Sequence, residues 1–204
     1  MARHTGPRVK IMRALGVDLP GLSRKTRERR PYPPGQHGQS RRRKLSDYGR
    51  QLQEKQKLRM NYGLGERQFR RLVTEARASR MAAGDKILEL LERRLDNVVF
   101  RAGFAPTIPA ARQLVTHGHF LVNGRRVDIA SYRVSEGDVI QPRSRSLKIQ
   151  PIEESLAAPS LARPDWMEFN DDKRLGRVSA LPPADSVHFE VDVQLVIEYY
   201  AKRL

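Results

Sequence analysis

The sequence contains no cysteine and only one tryptophan among its 204 residues. Without thiols the chain cannot form disulfides, thiolate metal sites or a cysteine nucleophile. It has no apolar run approaching the roughly 18 residues of a membrane span, and its first residues lack the apolar core of a signal peptide. These absences favour a soluble, cytoplasmic protein.

Motifs of the common enzyme classes are missing as well. No Gly-x-Ser-x-Gly elbow, P-loop or GxGxxG occurs in the sequence. Arg94-Leu95-Asp96 matches the short motif around the catalytic aspartate of pseudouridine synthases, but three residues match easily by chance. We therefore expect Asp96 to pair with Arg93 or Arg101 along or beside its helix. The sequence predicts a protein that is not an enzyme, with an RNA-modifying enzyme as the rival hypothesis.

Positive charge is what the chain has in abundance. The formal net charge is +16, and residues 1–80 account for all of it with 22 basic and 6 acidic side chains. Residues 93–150 are net +6, whereas residues 151–204 are net −4. Because such a charge opposes compactness unless a polyanion neutralises it, the sequence predicts a nucleic-acid-binding protein with one basic face.

The first 92 residues divide into an arm and a helical segment. Residues 1–44 are rich in arginine, glycine and proline with little apolar periodicity, so we expect an extended arm that becomes ordered only against a partner. Ser46 is a good helix N-cap, and apolar residues recur at helical spacing between there and residue 92. This spacing predicts three helices that pack through their apolar stripes.

Residues 93–150 have a different pattern. They predict a short helix that ends at Gly103, and a second helix that Thr107 caps and that ends at Gly118. Asn123-Gly124 between the short stretches FLV and RRV predicts a hairpin with a type I′ turn. Another turn at 136–137 precedes a further strand. The segment therefore reads as a helix-turn-helix packed on an antiparallel sheet.

Two segments are harder to assign. His117 and His119 flank the end of the second helix, but a zinc site needs three or four ligands and none is close in sequence, so we expect no metal. Residues 151–164 read as a linker. Residues 188–204 alternate as in a strand, although Asp192 could cap a helix there, and we favour the helix.

Folded RNA is a better partner for this chain than DNA. The second helix begins Thr107-Ile108-Pro109, which is poor in groups that read base edges in a DNA groove. Arginine-rich arms that fold on binding are typical of proteins that recognise RNA by its shape and phosphates. An RNA chaperone, or a repressor that uses the same surface on messenger RNA, remains an alternative.

Several long stretches of the chain are similar to one family. PGQHG, LSDYG, QLQEKQK, YGLGERQF, RRLDNVVFRAGFAPT, ARQLVTHGHFLVNGRRVDIASYRV and VIEYYAKRL resemble the bacterial family of small-subunit ribosomal protein number four, and the similarity runs from end to end. Many relatives carry zinc-binding cysteines in the arm, and this chain has none. We therefore expect neither zinc nor any other cofactor.

The resemblance implies an α+β fold. A mostly helical domain would contain an inserted RNA-binding module of the alpha-L type, built of the helix-turn-helix and antiparallel sheet, and would carry the basic extended arm. The implied boundaries are an arm over 1–44, a helical domain over 45–92 completed by 160–204, the module over 93–157, and a linker and C-terminal segment over 158–204 that packs on the helical domain.

The resemblance also implies a function and its partners. The family is a primary binder of small-subunit ribosomal RNA at a 5′-domain junction, where it nucleates assembly of the subunit body. It contributes to translational accuracy and borders the path by which mRNA enters. Its expected neighbours are small-subunit proteins five and three, with protein twelve linked functionally, and neither a membrane nor a homo-oligomer is expected.

The candidate RNA-binding residues come from the basic segments and from this resemblance. In the arm and helical domain they are Arg3, Arg8, Lys10, Arg41, Arg42, Arg43, Lys44, Arg50, Lys55, Arg59, Arg67 and Arg70. In the module they are Arg94, Thr107, Arg112, His117, Asn123, Gly124 and Arg125. The run 41–44 matches the basic segment near the mRNA path, and no catalytic or metal-binding residue is expected.

Overall fold

The computed structural model of this chain describes residues 4–40 and 44–201. Within these ranges it contains eight α-helices and one five-stranded antiparallel sheet, which is the α+β class expected from the sequence. It divides into two compact units, one formed by the chain up to residue 87 together with residues from 187 onward, and one by residues 88–186. In the described part, no helix is long and apolar enough to cross a membrane.

The elements follow one another in a simple order. The helices are α1 (Arg8–Leu15), α2 (Asp47–Asn61), α3 (Glu66–Arg77), α4 (Ala83–Glu92), α5 (Leu95–Arg101), α6 (Ile108–Thr116), α7 (Gln150–Ala157) and α8 (Val193–Ala201). The strands are β1 (Phe120–Val122), β2 (Arg125–Arg126), β3 (Val139–Pro142), β4 (Met167–Asn170) and β5 (Leu175–Val178). They lie in the order β2-β1-β3-β5-β4.

The first unit packs α2 and α3 against the C-terminal helix α8. Ser46 caps α2 as predicted, since its Oγ accepts a hydrogen bond from the Gly49 amide at 3.2 Å. The ambiguous C-terminal segment is helical, because Asp192 Oδ1 accepts from the Gln194 amide at 3.0 Å at the start of α8. The aromatic rings of Phe69 and Tyr200, 5.9 Å apart, join α3 to α8.

The expectation of an extended arm that becomes ordered only against a partner is wrong for residues 8–22. Residues 8–15 form α1, and Met12, Leu19 and Leu22 are buried in a small apolar cluster. The Gly21 amide donates to Asn61 Oδ1 of α2 at 3.0 Å. These contacts hold the segment, because burial of three large apolar side chains stabilises the fold by several kcal/mol in total, at about 1.5–3 each.

The second unit begins with the predicted pair of short helices. Thr107 caps α6, and its Oγ1 accepts from the Ala110 amide at 3.4 Å. Gly118 follows the helix with φ 72°, the left-handed conformation that favours glycine after a helix end. Asn123 and Gly124 have φ values of 51° and 75°, as a type I′ turn requires, and they connect β1 to β2.

The C-terminal part of the second unit differs from the prediction. Residues 151–164 were expected to be a linker, but α7 occupies residues 150–157. Strands β4 and β5 extend the sheet through the pairing of β3 with β5, so the chain returns to the first unit only at residue 187 instead of near 158. Four-residue strands with charged neighbours give too weak an alternation to be identified in sequence.

Candidate nucleic-acid interface

A buried carboxylate joins helices α5 and α6 in the second unit. Asp96 is fully buried near the start of α5. Arg94 donates to it from Nε, at 3.0 Å from Oδ1, and from a terminal nitrogen, at 2.8 Å from Oδ2. Arg112 of α6 donates to Oδ2 from Nε at 2.9 Å and from a terminal nitrogen at 2.6 Å. Two cations therefore share one anion, which leaves one net positive charge held in a defined position.

The predicted pairing of Asp96 with Arg93 or Arg101 is wrong. Arg93 instead pairs with Glu89 at 2.9 Å, and Arg101 lies 3.6 Å from Glu92. The prediction considered only arginines close to Asp96 in sequence, whereas Arg112 reaches the carboxylate from α6, 16 residues away. Because Asp96 has no solvent-exposed surface and both its oxygens accept hydrogen bonds from arginine, it is not available as a nucleophile.

The hairpin turn is held by its own side chains. The Asn123 amide donates from Nδ2 to Asp138 Oδ1 at 2.7 Å, and its Oδ1 accepts from the Val139 amide at 2.9 Å. Asn123 therefore positions the turn, while Gly124 is exposed at the tip and Arg125 is exposed on β2. Of these three predicted residues, Arg125 is the one whose side chain offers a charge to a ligand.

Cations converge where α6 ends. Arg143 donates to the Gly118 carbonyl at 3.3 Å, and the Arg126 guanidinium lies so close to Gly118 that a Cβ there would stand 2.4 Å from Nε. His119 Nδ1 lies 3.0 Å from the Ser146 hydroxyl, and its ring centroid is 6.1 Å from that of the exposed His117. Only glycine permits this close approach of Arg126 to the helix end.

The pKa of His119 reflects the positive charge of this cluster. Burial, followed by the positive charges of His117, Arg145 and Arg143, holds the pKa of His119 below its usual value. The neutral imidazole is therefore favoured while the cluster contains no anion. No group of three or more possible metal-ligating side chains occurs among the residues that the structure describes, so a third ligand does not join this pair of histidines.

Helix α3 of the first unit has one basic face. Phe69, Leu72, Val73 and Ala76 are buried, and the arginines project from the opposite side at helical spacing. The exposed arginines on this face, which we call the α3 face, are Arg67, Arg70, Arg71 and Arg77. Positive charges along one helix side can follow an RNA backbone and release its counterions.

Other predicted residues of the first unit bind within the protein. Lys55 is buried, forms an ion pair with Glu66 at 2.7 Å, and lies 4.7 Å from the ring centroid of Tyr199. Partial burial would raise the pKa of Glu66, but hydrogen bonds from Lys55 and Tyr200 and nearby positive charges hold that pKa below its usual value. Lys55 therefore stabilises the packing of α8.

Two further candidates on α2 also have partners in the protein. Arg59 donates from Nε to the Leu64 carbonyl at 3.2 Å and lies 3.9 Å from Glu66. Arg50 pairs with Asp47 one helical turn away, and both side chains are largely exposed. An exposed pair contributes about 0–1 kcal/mol, so Arg50 could exchange this partner for a phosphate at little cost.

The arm contributes fewer described candidates than the sequence suggested. Arg8 donates to the Leu22 carbonyl at 3.4 Å, whereas Lys10 and Lys44 are exposed. Arg3 and the run 41–43 lie outside the described residues. The structure thus retains Lys10 and Lys44 as exposed charges and gives Arg8 a role in the arm's own fold.

Sequence reasoning missed several cations that the structure exposes or groups. They are Arg71 and Arg77 on the α3 face, and Arg143 and Arg145 beside His119. The α3 residues could have been found by extending the spacing of Arg67 and Arg70 through the helix. No local signal groups the residues near His119, because they come from separate elements.

The sequence is similar to known proteins along its whole length. The ribosomal protein S4/S9 N-terminal domain matches residues 3–92, and the S4 domain matches residues 93–140. The small ribosomal subunit protein uS4 of Methylobacillus flagellatus is 60% identical over the whole of both chains. The protein uS4B of Nitrosomonas europaea is 56% identical, and uS4 of Acaryochloris marina 52% identical, again over the whole of both chains.

Proposed function

The chain belongs to the ribosomal protein S4 family of the small ribosomal subunit, and from this premise we propose that it is a primary binder of small-subunit ribosomal RNA. As a member of that family it is a structural, RNA-binding component of the ribosome in the cytoplasm, and it is not an enzyme. The proposal adds where and how it binds: at a helical junction in the 5′ domain, through charges on both of its units.

The α3 face is the observation that carries this proposal. Its four arginines are exposed along about three helical turns, and the opposite side of the same helix is buried in the core of the first unit. A rigid row of charges suits a phosphate backbone, since it binds without losing the side-chain packing that positions it. These four arginines are among the 22 basic residues of segment 1–80.

We also propose roles in assembly and decoding for this protein, on the basis of the family to which it belongs. A protein that holds a junction in the 5′ domain would nucleate folding of the subunit body, with its arm and helical domain and its module acting as separate RNA-binding bodies. We propose that it contacts small-subunit proteins five and three, borders the mRNA path through residues 41–44, and contributes to translational accuracy together with protein twelve.

The test is binding of the purified chain to protein-free small-subunit ribosomal RNA, with chemical footprinting across a salt titration. One compact footprint at a 5′-domain junction is expected. If about eight phosphates are neutralised, log K should fall with log salt at a slope of about −6 to −7. Diffuse protection without a preferred site would reject the proposal and favour a chaperone or a repressor of messenger RNA.

A further inference from the structure

The cation cluster at the end of α6 holds more positive charge than the helix itself can neutralise. A helix C-terminus carries roughly −0.5 of an elementary charge, which a single nearby cation offsets. Here Arg126, Arg143 and Arg145 accompany two histidines. Arg143 alone already reaches a carbonyl of the helix end, so capping of α6 does not explain the others.

Acidic side chains do not balance this cluster. Within residues 4–40 and 44–201, its only ion pair joins Arg126 to Asp128 at 3.5 Å, and both of those side chains are about half exposed. An exposed pair of this length contributes little and exchanges easily. The three arginines carry +3, and Asp128 and the helix end together supply about −1.5. The net charge of the cluster is therefore roughly +1.5 before either histidine is protonated.

The groups that face His119 come from several elements. His117 lies on its helix side, Arg143 and Arg145 flank it from the end of β3 and the turn after it, and the Ser146 hydroxyl holds its Nδ1. Arg143 is also tied to its position by its own backbone amide, which donates to the His119 carbonyl at 2.9 Å. Together these groups bring several donors from different elements to one place, and the cations among them repel one another.

We propose that this cluster, formed by His117, His119, Arg126, Arg143 and Arg145, is a binding site for a phosphate group of the ribosomal RNA backbone, and that filling it is coupled to protonation of His119. The site rests on the proposed function, since RNA supplies the phosphate. A phosphate here accepts hydrogen bonds from planar arginine groups in the geometry that they favour.

The coupling to a proton follows from the charges. In the free protein burial lowers the pKa of His119, and the neighbouring cations lower it further. A bound phosphate replaces that repulsion by attraction and restores the charged imidazole. Binding should therefore take up protons near pH 6.5, and affinity should increase as pH falls from about 8 to about 6.

The first arm of the test measures affinity with the full-length chain and protein-free small-subunit ribosomal RNA. Arg143→Gln with Arg145→Gln should weaken binding about 10–100-fold and reduce the salt slope by about 0.7–0.9, the change expected when one phosphate contact is lost. The control is Lys173→Gln with Arg177→Gln, two exposed residues of the same unit that we call the control pair. It removes the same charge and should change affinity less than threefold.

The second arm measures proton uptake by titration calorimetry at pH 6.5 in two buffers of different ionisation enthalpy. Wild type should take up a measurable fraction of a proton, and His119→Gln should lose at least half of it. Because Arg145 is exposed, Arg145→Gln alone keeps the test usable if the double variant is unstable. It should then give about half of the slope change.

The outcomes separate this site from the function on which it rests. Equal losses in the cluster variant and the control pair, or unchanged proton uptake in His119→Gln, would overturn the site while wild type still binds the RNA. Failure of wild type to bind any site on the RNA would instead remove the proposed function.

Discussion

Replacing Asp96 by asparagine tests whether the buried carboxylate stabilises the second unit. Three of the four arginine hydrogen bonds end on Oδ2, and one arginine bond and the Asn97 amide end on Oδ1. If the asparagine oxygen takes the Oδ2 position, the three arginine hydrogen bonds that end there are kept. Its amide group then presents N–H donors to Arg94 Nε and the Asn97 amide, which are donors themselves.

The expected cost is about 3–5 kcal/mol. Removal of one partner from a buried ion pair typically has this effect, because the remaining charge is left uncompensated. Here two guanidinium groups remain, with side chains only 10% and 15% exposed, so water replaces the carboxylate poorly. A loss of this size in a unit of about 100 residues lowers the melting temperature by more than about 10 °C.

The single tryptophan makes this measurement specific to one unit. Trp166 is buried in the second unit, so its fluorescence follows unfolding of that unit in urea. Asp128→Asn is the matched control, because it removes the same charge from a pair in which both side chains are 54% exposed, and it should cost less than about 1 kcal/mol.

A loss below about 1 kcal/mol for Asp96→Asn, equal to that of the control, would refute this account of the buried carboxylate. The same variant also addresses the RNA-modifying rival. Any pseudouridine formation by wild type that disappears in Asp96→Asn would contradict a structural role for this carboxylate. We expect no such activity in either protein, because the carboxylate is shielded from solvent.

Three further predictions concern other parts of the chain. Tyr200→Phe removes the 2.6 Å hydrogen bond to Glu66, so it should destabilise the first unit by about 1 kcal/mol in urea unfolding followed by circular dichroism. Burial and then Glu66 raise the pKa of Tyr200. The wild type should therefore also lose stability above about pH 10, and the variant should lose less. The pKa of His119 is lowered in the folded protein, so as pH falls the unfolded chain binds this proton first. The free energy of unfolding should therefore decrease as pH drops below about 6.5, and it should decrease less in His119→Gln, as measured by tryptophan fluorescence. An identical pH profile for the variant would contradict this. Arg71→Gln with Arg77→Gln should reduce the salt slope of ribosomal RNA binding by about 1.4–1.8, and a slope equal to that of the control pair would exclude the α3 face from the interface.

The two units present positive charge in different ways. The α3 face consists of arginines on one helix, with an apolar stripe behind them. The cluster beside His119 is assembled from a helix end, two strands and a turn, and it approaches the backbone at a glycine. Both arrangements hold cations on ordered elements, which lowers the entropic cost of binding a phosphate backbone.

Several candidate RNA-binding residues have partners within the protein that the sequence did not reveal. Lys55 was chosen for its charge and is buried against α8, and Asn123 holds the hairpin through Asp138 and Val139. Arg112 was expected to face RNA, and it binds the carboxylate of Asp96. Charge and spacing identify basic segments, but they do not indicate which cations are neutralised by distant acids.

The sequence by itself determined the features that depend on neighbours along the chain. The cap at Thr107, the left-handed Gly118, the Asn123-Gly124 turn and the excess charge of residues 1–80 all follow from local conformational preference or from counting. Only the tertiary structure decided that α1 packs on α2, that β4 and β5 complete the sheet, and that Arg112 reaches Asp96 across 16 residues. Such contacts depend on packing between elements that are far apart in sequence, and short-range patterns carry no information about which of them meet.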